Sequence, residues 1–405
     1  MTVAQGISTT LARVAQSALG TPGSSGSSLA RRVSADFTKD GETYTSNEIV
    51  SHQQSTGATE GPSDIKGTLN GELSGGTYQL EFANLLRKDF AAGFTAITGA
   101  SLTIAGAGSP TYTVTRASGS FLTDGVKAGH VVRLSVGTLN AANINKNLLV
   151  VSLTATILTV IPLNGVAMVG EGPVASCTVS APGKATYAPA SGHTNTYFTW
   201  EKYFADLTRS ELYTDVKVGS ADISIPNTGI ATVNFGLAGL GRTLGASQVL
   251  TSPTAETTSS VLAAVQGKVL VNGTVTTVTG IQIQINGAVT SGEAEVGSNT
   301  RSDLQKGKIS VSGSFTAKFS GVTLQTLRDN QTLVKFIAVI ADSATATAEF
   351  ITFVMPAIKI FTDAADDGEK EIVRTYNFTA QYYGAGGAGT DSQQTICMIQ
   401  DSLAA

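Results

Sequence analysis

Apolar and polar residues alternate along much of the chain. Between Lys308 and Phe319 the apolar set Ile309, Val311, Phe315, Ala317 and Phe319 falls on one side, and Lys308, Ser310, Ser312, Ser314 and Thr316 fall on the other. A period of two marks a half-buried β-strand. Ile281, Ile283 and Ile285 alternate with Gln282, Gln284 and Asn286 in the same way. Asn-Gly pairs at 70–71, 164–165, 272–273 and 286–287 suggest type I′ hairpin turns. Helical spacing is confined to Ile7–Leu19, Tyr78–Phe90, Thr199–Leu212 and Thr323–Arg328. The pattern predicts a mainly antiparallel β protein with small helices.

An internal repeat organises these strands. Ser63-Asp64-Ile65-Lys66-Gly67 recurs as Ser302-Asp303-Leu304-Gln305-Lys306-Gly307, with one residue inserted. Each copy leads into an alternating strand with a central glycine: Leu69, Gly71 and Leu73, then Val311, Gly313 and Phe315. Each then reaches a short helical segment ending in Leu86-Arg87 or Leu327-Arg328. Between the copies, residues 96–185 have a different texture, with short strands, turn signals and almost no acidic residues. They read as a small all-β domain inserted in a loop of the first copy, an insertion that costs little. The expected layout is an N-terminal arm (1–40), a first β domain split into 41–95 and 186–250, and the insert (96–185). A second β domain (251–383) and a flexible tail (384–405) complete it.

Composition narrows the class. A chain of 405 residues accommodates two to four domains. It holds 44 Gly, 38 Ser and 54 Thr, and only 14% of its residues are charged. That is poor in charge against the roughly 25% of ordinary soluble domains and unlike any coiled coil. Because 41% of the residues are hydrophobic, the chain can still build a core. A surface so poor in charge suits burial between identical subunits. The net charge of −4 is no footprint of a tight nucleic-acid binder. The longest apolar runs, Phe336–Ala341 and Phe350–Ile358, are far too short to span a membrane. The first twenty residues lack a continuous apolar stretch, so no signal peptide is expected.

Candidate chemistry is sparse. Gly384-Ala385-Gly386-Gly387-Ala388-Gly389 spells a dinucleotide fingerprint, but no βαβ unit surrounds it. Asp363, Asp366, Asp367 and Gly368 imitate a calcium loop, yet Ala365 and Arg374 stand where two ligands belong, so an acidic hairpin tip is favoured. His52, His130 and His193 are solitary, and no nucleophile elbow occurs. Cys177 and Cys397, far apart, read as inert buried thiols. Trp200 is expected in a core beside Tyr197, Phe198 and Tyr203. No cofactor, metal or catalytic residue is expected.

Three stretches resemble the tail tube (major tail) proteins of bacteriophages with long, non-contractile tails. The first runs from Ser46-Asn47-Glu48-Ile49-Val50-Ser51 through Gly67-Thr68-Leu69-Asn70-Gly71-Glu72-Leu73-Ser74 to Leu85-Leu86-Arg87. The second runs from Val218-Gly219 through Ile223–Gly229 to Val233-Asn234-Phe235-Gly236. In the third, Arg116, Gly119–Gly125 and Gly129–Val132 are similar to a small accessory domain often found in such proteins.

The resemblance implies two tandem tube-type β-sandwich or partial-barrel domains with short flanking helices, plus the small inserted all-β domain on the outer surface. Rings of this family hold six such domains, so two copies per chain imply a trimeric, pseudo-sixfold ring, with a hexamer as the alternative. Stacked rings would form the virion tail, assembled in the cytoplasm of a bacterial host. Other partners would be the tape measure protein and the tail terminator and tip proteins. DNA would pass through the lumen without specific binding, and no membrane would be involved. Asn70, Glu72, Gln282, Gln284, Ser310, Ser312 and Ser314 are the candidate lumen-facing residues. The polar stretch Glu42–Lys66, with Glu48, Ser51, His52, Gln53, Gln54, Glu60 and Asp64, is the candidate inter-ring loop. Met1–Arg32 and the tail after Tyr383 would order on assembly. The competing reading is an adhesin or surface-layer protein whose insert binds glycan or a host receptor, for which Tyr112, Phe121 and Tyr187 are the only nearby aromatics.

Overall fold

A computed structural model describes residues 3–106, 110–164, 167–366 and 369–405. The first part of the chain forms β1 (Thr9–Ala15), β2 (Ser28–Leu29), β3 (Ser34–Thr45), β4 (Ala58–Glu72) and helix α1 (Gln79–Leu86). Then come β5 (Ile97–Gly106), β6 (Tyr112–Arg116), β7 (Val131–Ser135), β8 (Leu148–Leu153), β9 (Ile157–Pro162) and β10 (Glu171–Ser180). These are followed by β11 (Lys184–Tyr187), β12 (Phe198–Phe204), β13 (Arg209–Pro226), β14 (Thr232–Gly239) and β15 (Gly241–Gly245). The second half contributes β16 (Lys268–Val271), β17 (Thr274–Val275), β18 (Val278–Asn286), β19 (Val289–Ser291), β20 (Leu304–Lys306) and β21 (Ser310–Lys318). Helix α2 (Thr323–Asp329) leads to β22 (Val334–Ala341), β23 (Phe350–Ala365), β24 (Val373–Ala380) and β25 (Met398–Asp401).

The structure is a β-sandwich built twice. Eight strands form an inner sheet in the order β3-β4-β14-β13-β18-β21-β24-β23, every pair antiparallel. Four come from each half, and the β13–β18 pairing joins the halves. The long strands β13 and β23 each leave the inner sheet and continue outside it. There β13 pairs with β12 and β15, and β23 pairs with β22 and β25. Both make the crossing at the same kind of bulge, Val216 to Tyr213 against Phe198 to Trp200, and Ile358 to Met355 against Val334 to Phe336. Such bulges bend a strand from one sheet to the next. A second matched bulge, Val218/Ser220 and Ile360/Thr362, follows inside the inner sheet. The space between the layers holds one continuous core reaching from Leu69, Trp200 and Phe235 to Phe315, Phe336 and Phe378.

The matched bulges set the true register of the repeat. They align Gly67 with Gly313 and Leu69 with Phe315. The match of Gly71 to Gly313 is therefore four residues out of step, and that of Ser63–Gly67 to Ser302–Gly307 six to seven, because the second motif lies in the folded-back β19–β20 hairpin. The aligned glycines share a reason. A Cβ at Gly67 would crowd the Asp36 carbonyl and the Phe37 ring at 2.8–2.9 Å, and one at Gly313 would overlap the Gln282 carbonyl and the Phe378 ring.

The six strands of residues 97–180 close into a barrel, β10-β5-β6-β9-β8-β7, around its own core of Leu102, Val114, Phe121, Leu134 and Val160. It is inserted after α1 of the first repeat but packs on the second. Val131, Leu149, Val151 and Ile161 meet Leu270, Ile337, Val339, Phe350, Val354 and Met398 on the side of the outer sheet turned away from the inner one. The Gln400 amide adds bonds to the backbone of Val131 and Pro182.

Several expectations are corrected. Ile7–Leu19 and Thr199–Leu212 contain strands rather than helices, with β1 paired to β12 from Thr9↔Phe204 to Ala15↔Phe198 and a turn leading from β12 into β13. Their β-branched and aromatic residues suit a pleated surface, and cross-strand packing overrides the helical spacing. Asn70-Gly71 lies within β4, and only Asn272-Gly273, with φ of 51° and 77°, forms the expected turn between β16 and β17. At Asn286-Gly287 the left-handed residue is Ala288, and Asn164-Gly165 falls partly outside the described residues. The N-terminal arm is built into the sandwich through β1, with Leu11, Ala12 and Val14 buried. The tail is likewise anchored, because β25 is wholly buried between β11 and β23. Asp363 accepts from Arg328 and Arg374 at 2.6 and 2.7 Å, so both its oxygens are engaged, while Asp367 and Gly368 lie outside the described residues.

Candidate functional site

The alternation that buries Ile223, Ile225, Ile281, Ile283, Ile285, Val311 and Phe315 turns their neighbours outward. The pairing registers line these neighbours up in rows across the inner sheet. One row runs Ser34, Asn70, Asn234, Asp222, Gln284, Ser312, Thr379, Lys359. The next runs Glu72, Thr232, Ser224, Gln282, Ser314, Asn377, Thr362. Of the candidate lumen residues, Gln282, Gln284, Ser312 and Ser314 line one shallow trough with Asp222 and Asn377. Asn70 and Glu72 continue the same face onto β4, and Ser310 sits at its edge beside Asn286. Lys66 is paired with Asp40 at 2.7 Å and Lys318 with Glu371 at 2.6 Å. Among the described residues that leaves Asp36, Glu72 and Asp222 against Lys359 and, at the end of the Ser310–Ser314 alternation, Lys308, a polar surface with an excess of one negative charge.

The two ends of the inner sheet have bare edges. Among the described residues, β3 pairs only with β4, and β23 beyond Ile358 pairs only with β24. An unpaired edge is a template for another strand.

At one end of the sheet, β3 and β4 continue as a two-stranded ribbon. The last pairing of β14 is Gly239↔Ile65, so Ala58–Asp64 have β3 as their strand partner and extend roughly 23 Å at ~3.3 Å per residue. The tip carries Glu48, Ser51, His52, Gln53 and Gln54 together in solvent, with Glu60 on the ribbon. Asp64 stands apart from them, at the base, where Arg301 binds it at 3.1 Å and Glu42 at 3.0 Å. Arg301 also donates to the Gly292 carbonyl, and Ser63 donates its N–H to Asn299. Nothing local in the sequence marks Arg301 for these contacts, since its carboxylate partners are some 240 positions away in the chain.

Several other titratable groups are buried in the fold. Arg13 and Glu81 form a buried pair at 2.6 Å, in which burial raises the Glu81 pKa and Arg13 opposes it. Burial and then Lys127 lower His130 to about 4, so the imidazole is neutral. Cys177 and Cys397 are buried, and burial lifts the Cys397 thiol to about 12. Trp200 is buried, with Phe37 at 5.9 Å. Among the described residues no group of three or more His, Cys, Asp or Glu could hold a metal ion. No described helix is long and apolar enough to cross a membrane.

A doubled sandwich with one polar sheet face and bare edges belongs to the class of mainly β proteins. The family model described as phage tail tube protein matches residues 6–380, and the chain belongs to that family. It is a structural protein of the bacteriophage virion tail. No curated protein matches the chain.

Proposed function

We propose that the chain closes into trimeric, pseudo-sixfold rings whose inner sheets form one barrel, and that stacked rings make a non-contractile tail tube through which DNA is ejected. The observation that carries this reading is the β13–β18 pairing, a joint the chain already makes between its two repeats. Repeating that joint from the second repeat to the next copy places β23 beside the bare β3. The matched bulges give the register: Asp222↔Gln284 becomes Ala364 opposite Thr38 of the neighbour.

Stagger supports closure. Thr68 and Ser314 are equivalent, yet the row through Ser314 reaches β4 at Glu72, so each four-stranded repeat steps the register by 72 − 68 = 4 residues. One residue of shear per strand is the ratio of closed barrels with strands tilted by about 36°. The polar rows then line the lumen, where a weakly acidic surface lets phosphates slide rather than bind. The role is architectural rather than catalytic, and the tape measure, terminator and tip proteins are the expected partners.

Cysteines at Thr38→Cys and Ala364→Cys test this directly, because both native thiols are buried. Oxidised rings should yield covalent species that stop at the trimer. A ladder reaching six would make the ring a hexamer, and an unlinked monomer would refute the edge pairing.

A further inference from the structure

We propose that the apolar pocket at the foot of the inner sheet receives Ile49 from the ribbon tip of a copy in the adjacent ring. The inference rests on the stacked-ring reading and names the contact that stacks the rings. The pocket, about 280 Å³, opens at the end of the sheet opposite the ribbon, where β13 of the first repeat meets β18 of the second. Pro226, Val269, Val275, Val278 and Ile281 line it, and Lys268 stands in its wall.

The occupant follows from the tip. Between Tyr44 and Ile65 the chain is polar or small except for Ile49 and Val50, and Ile49 is fully exposed. An isolated apolar anchor entering a pocket is the usual source of interface affinity. Glu48 adjoins Ile49, and among the described residues neither Glu48 nor Lys268 has an ion-pair partner, so seating Ile49 would bring opposite charges together. Stoichiometry agrees, because each chain has one ribbon and one such pocket at its internal joint. The second repeat offers no competing tip, since its corresponding loop folds back as the β19–β20 hairpin.

The test is a disulfide in assembled tubes. Ile49→Cys with Val275→Cys should give intermolecular links on oxidation. Either single variant, and Ile49→Cys with Phe319→Cys at the same end but outside the pocket, should not. Ile49→Asp should leave rings that no longer stack. Tubes that form without the 49–275 link, that link 49 equally to 319, or that stack normally with Ile49→Asp overturn the pocket while sparing the ring. A native protein that forms no tubes under the electron microscope removes both.

Discussion

The two repeats share a sandwich but differ in what covers it. In the second repeat every residue of β22 except Lys335 is buried, because one face meets the core and the other meets the inserted barrel. In the first repeat the corresponding strand β12 reads Phe-Thr-Trp-Glu-Lys-Tyr-Phe, and its later residues are only half-buried. The closing strands differ in the same sense. The four residues of β25 are buried, whereas those of β15 are half-buried or exposed, with Leu244 open to solvent. The difference teaches that the insert acts first as a lid on one repeat. An outer sheet covered on both faces is written in unbroken apolar runs, and an uncovered one in mixed residues.

The hairpins differ in the opposite direction: the first repeat projects its β3–β4 ribbon, and the second folds its loop back. The largest effect should come from erasing that contrast. Replacing the tip Ser46–Gly57, Ile49 included, by an Asn-Gly turn between the strand ends Thr45 and Ala58 should give folded rings with tube formation abolished, seen by electron microscopy. Normal tubes from this variant would remove the ribbon from the stacking contact.

The aligned glycines allow a quantitative comparison. At Gly313 the obstructing carbonyl belongs to Gln282 on β18, a strand held on both sides, whereas at Gly67 it belongs to Asp36 on the bare-edged β3. Overpacking costs about 1–3 kcal/mol and depends on whether neighbours can give way. Gly313→Ala should therefore lose about 3 kcal/mol and Gly67→Ala about 1, measured by urea denaturation of the unassembled chain. Equal losses would mean that β3 is as fixed as β18 before assembly.

How much of this was readable in the chain varied with the kind of signal. The Gln282/Ile283 and Ser310/Val311 alternations named the polar face correctly because period two is a local property of a strand. Phe336–Ala341 is plainly apolar in sequence, but the reason, burial beneath a barrel inserted some 200 residues earlier, is tertiary. The same holds for β1 and β12, whose spacing suited a helix until each found the other. The repeat is visible but out of step, by four residues at the strand glycines and six to seven at the Ser-Asp motif, since short Ser-Gly motifs recur more readily than bulges, which leave little trace in sequence. The bare edges and the Arg301 contacts left no local mark at all.

A smaller effect should separate the two closing strands. Asp401 on β25 accepts N–H bonds from Gly76 and Leu403, yet burial raises its carboxyl from 3.8 to about 6. A raised carboxyl binds its proton more tightly in the folded chain, so its stabilising contribution is complete below about pH 4 and is lost as pH rises through 6. Asp401→Asn should remove this slope, on the order of 2–3 kcal/mol between pH 4 and 7, in the difference between the two denaturation curves. Parallel curves would show that Asp401 titrates as an ordinary carboxyl. Gly241–Gly245 in the first repeat contains no carboxylate, so no matching slope arises there.

The smallest effect on stability should come from the contact that joins the two hairpins. Arg301 in the loop of the second repeat grips Glu42 and Asp64 at the base of the first repeat's ribbon. Partly exposed pairs of this kind are worth about 1 kcal/mol or less. Arg301→Ala should therefore leave the unfolding midpoint almost unchanged. The ribbon itself should loosen, with faster hydrogen exchange at Ala58–Asp64 and a lower tube yield, while exchange in β18 and β21 stays as it was. Arg301→Lys keeps the charge but loses the fork that spans two carboxylates, and should fall between the two. If exchange in the ribbon does not change in Arg301→Ala, the first repeat holds its ribbon out unaided, and the folded-back loop of the second repeat has no part in aiming it.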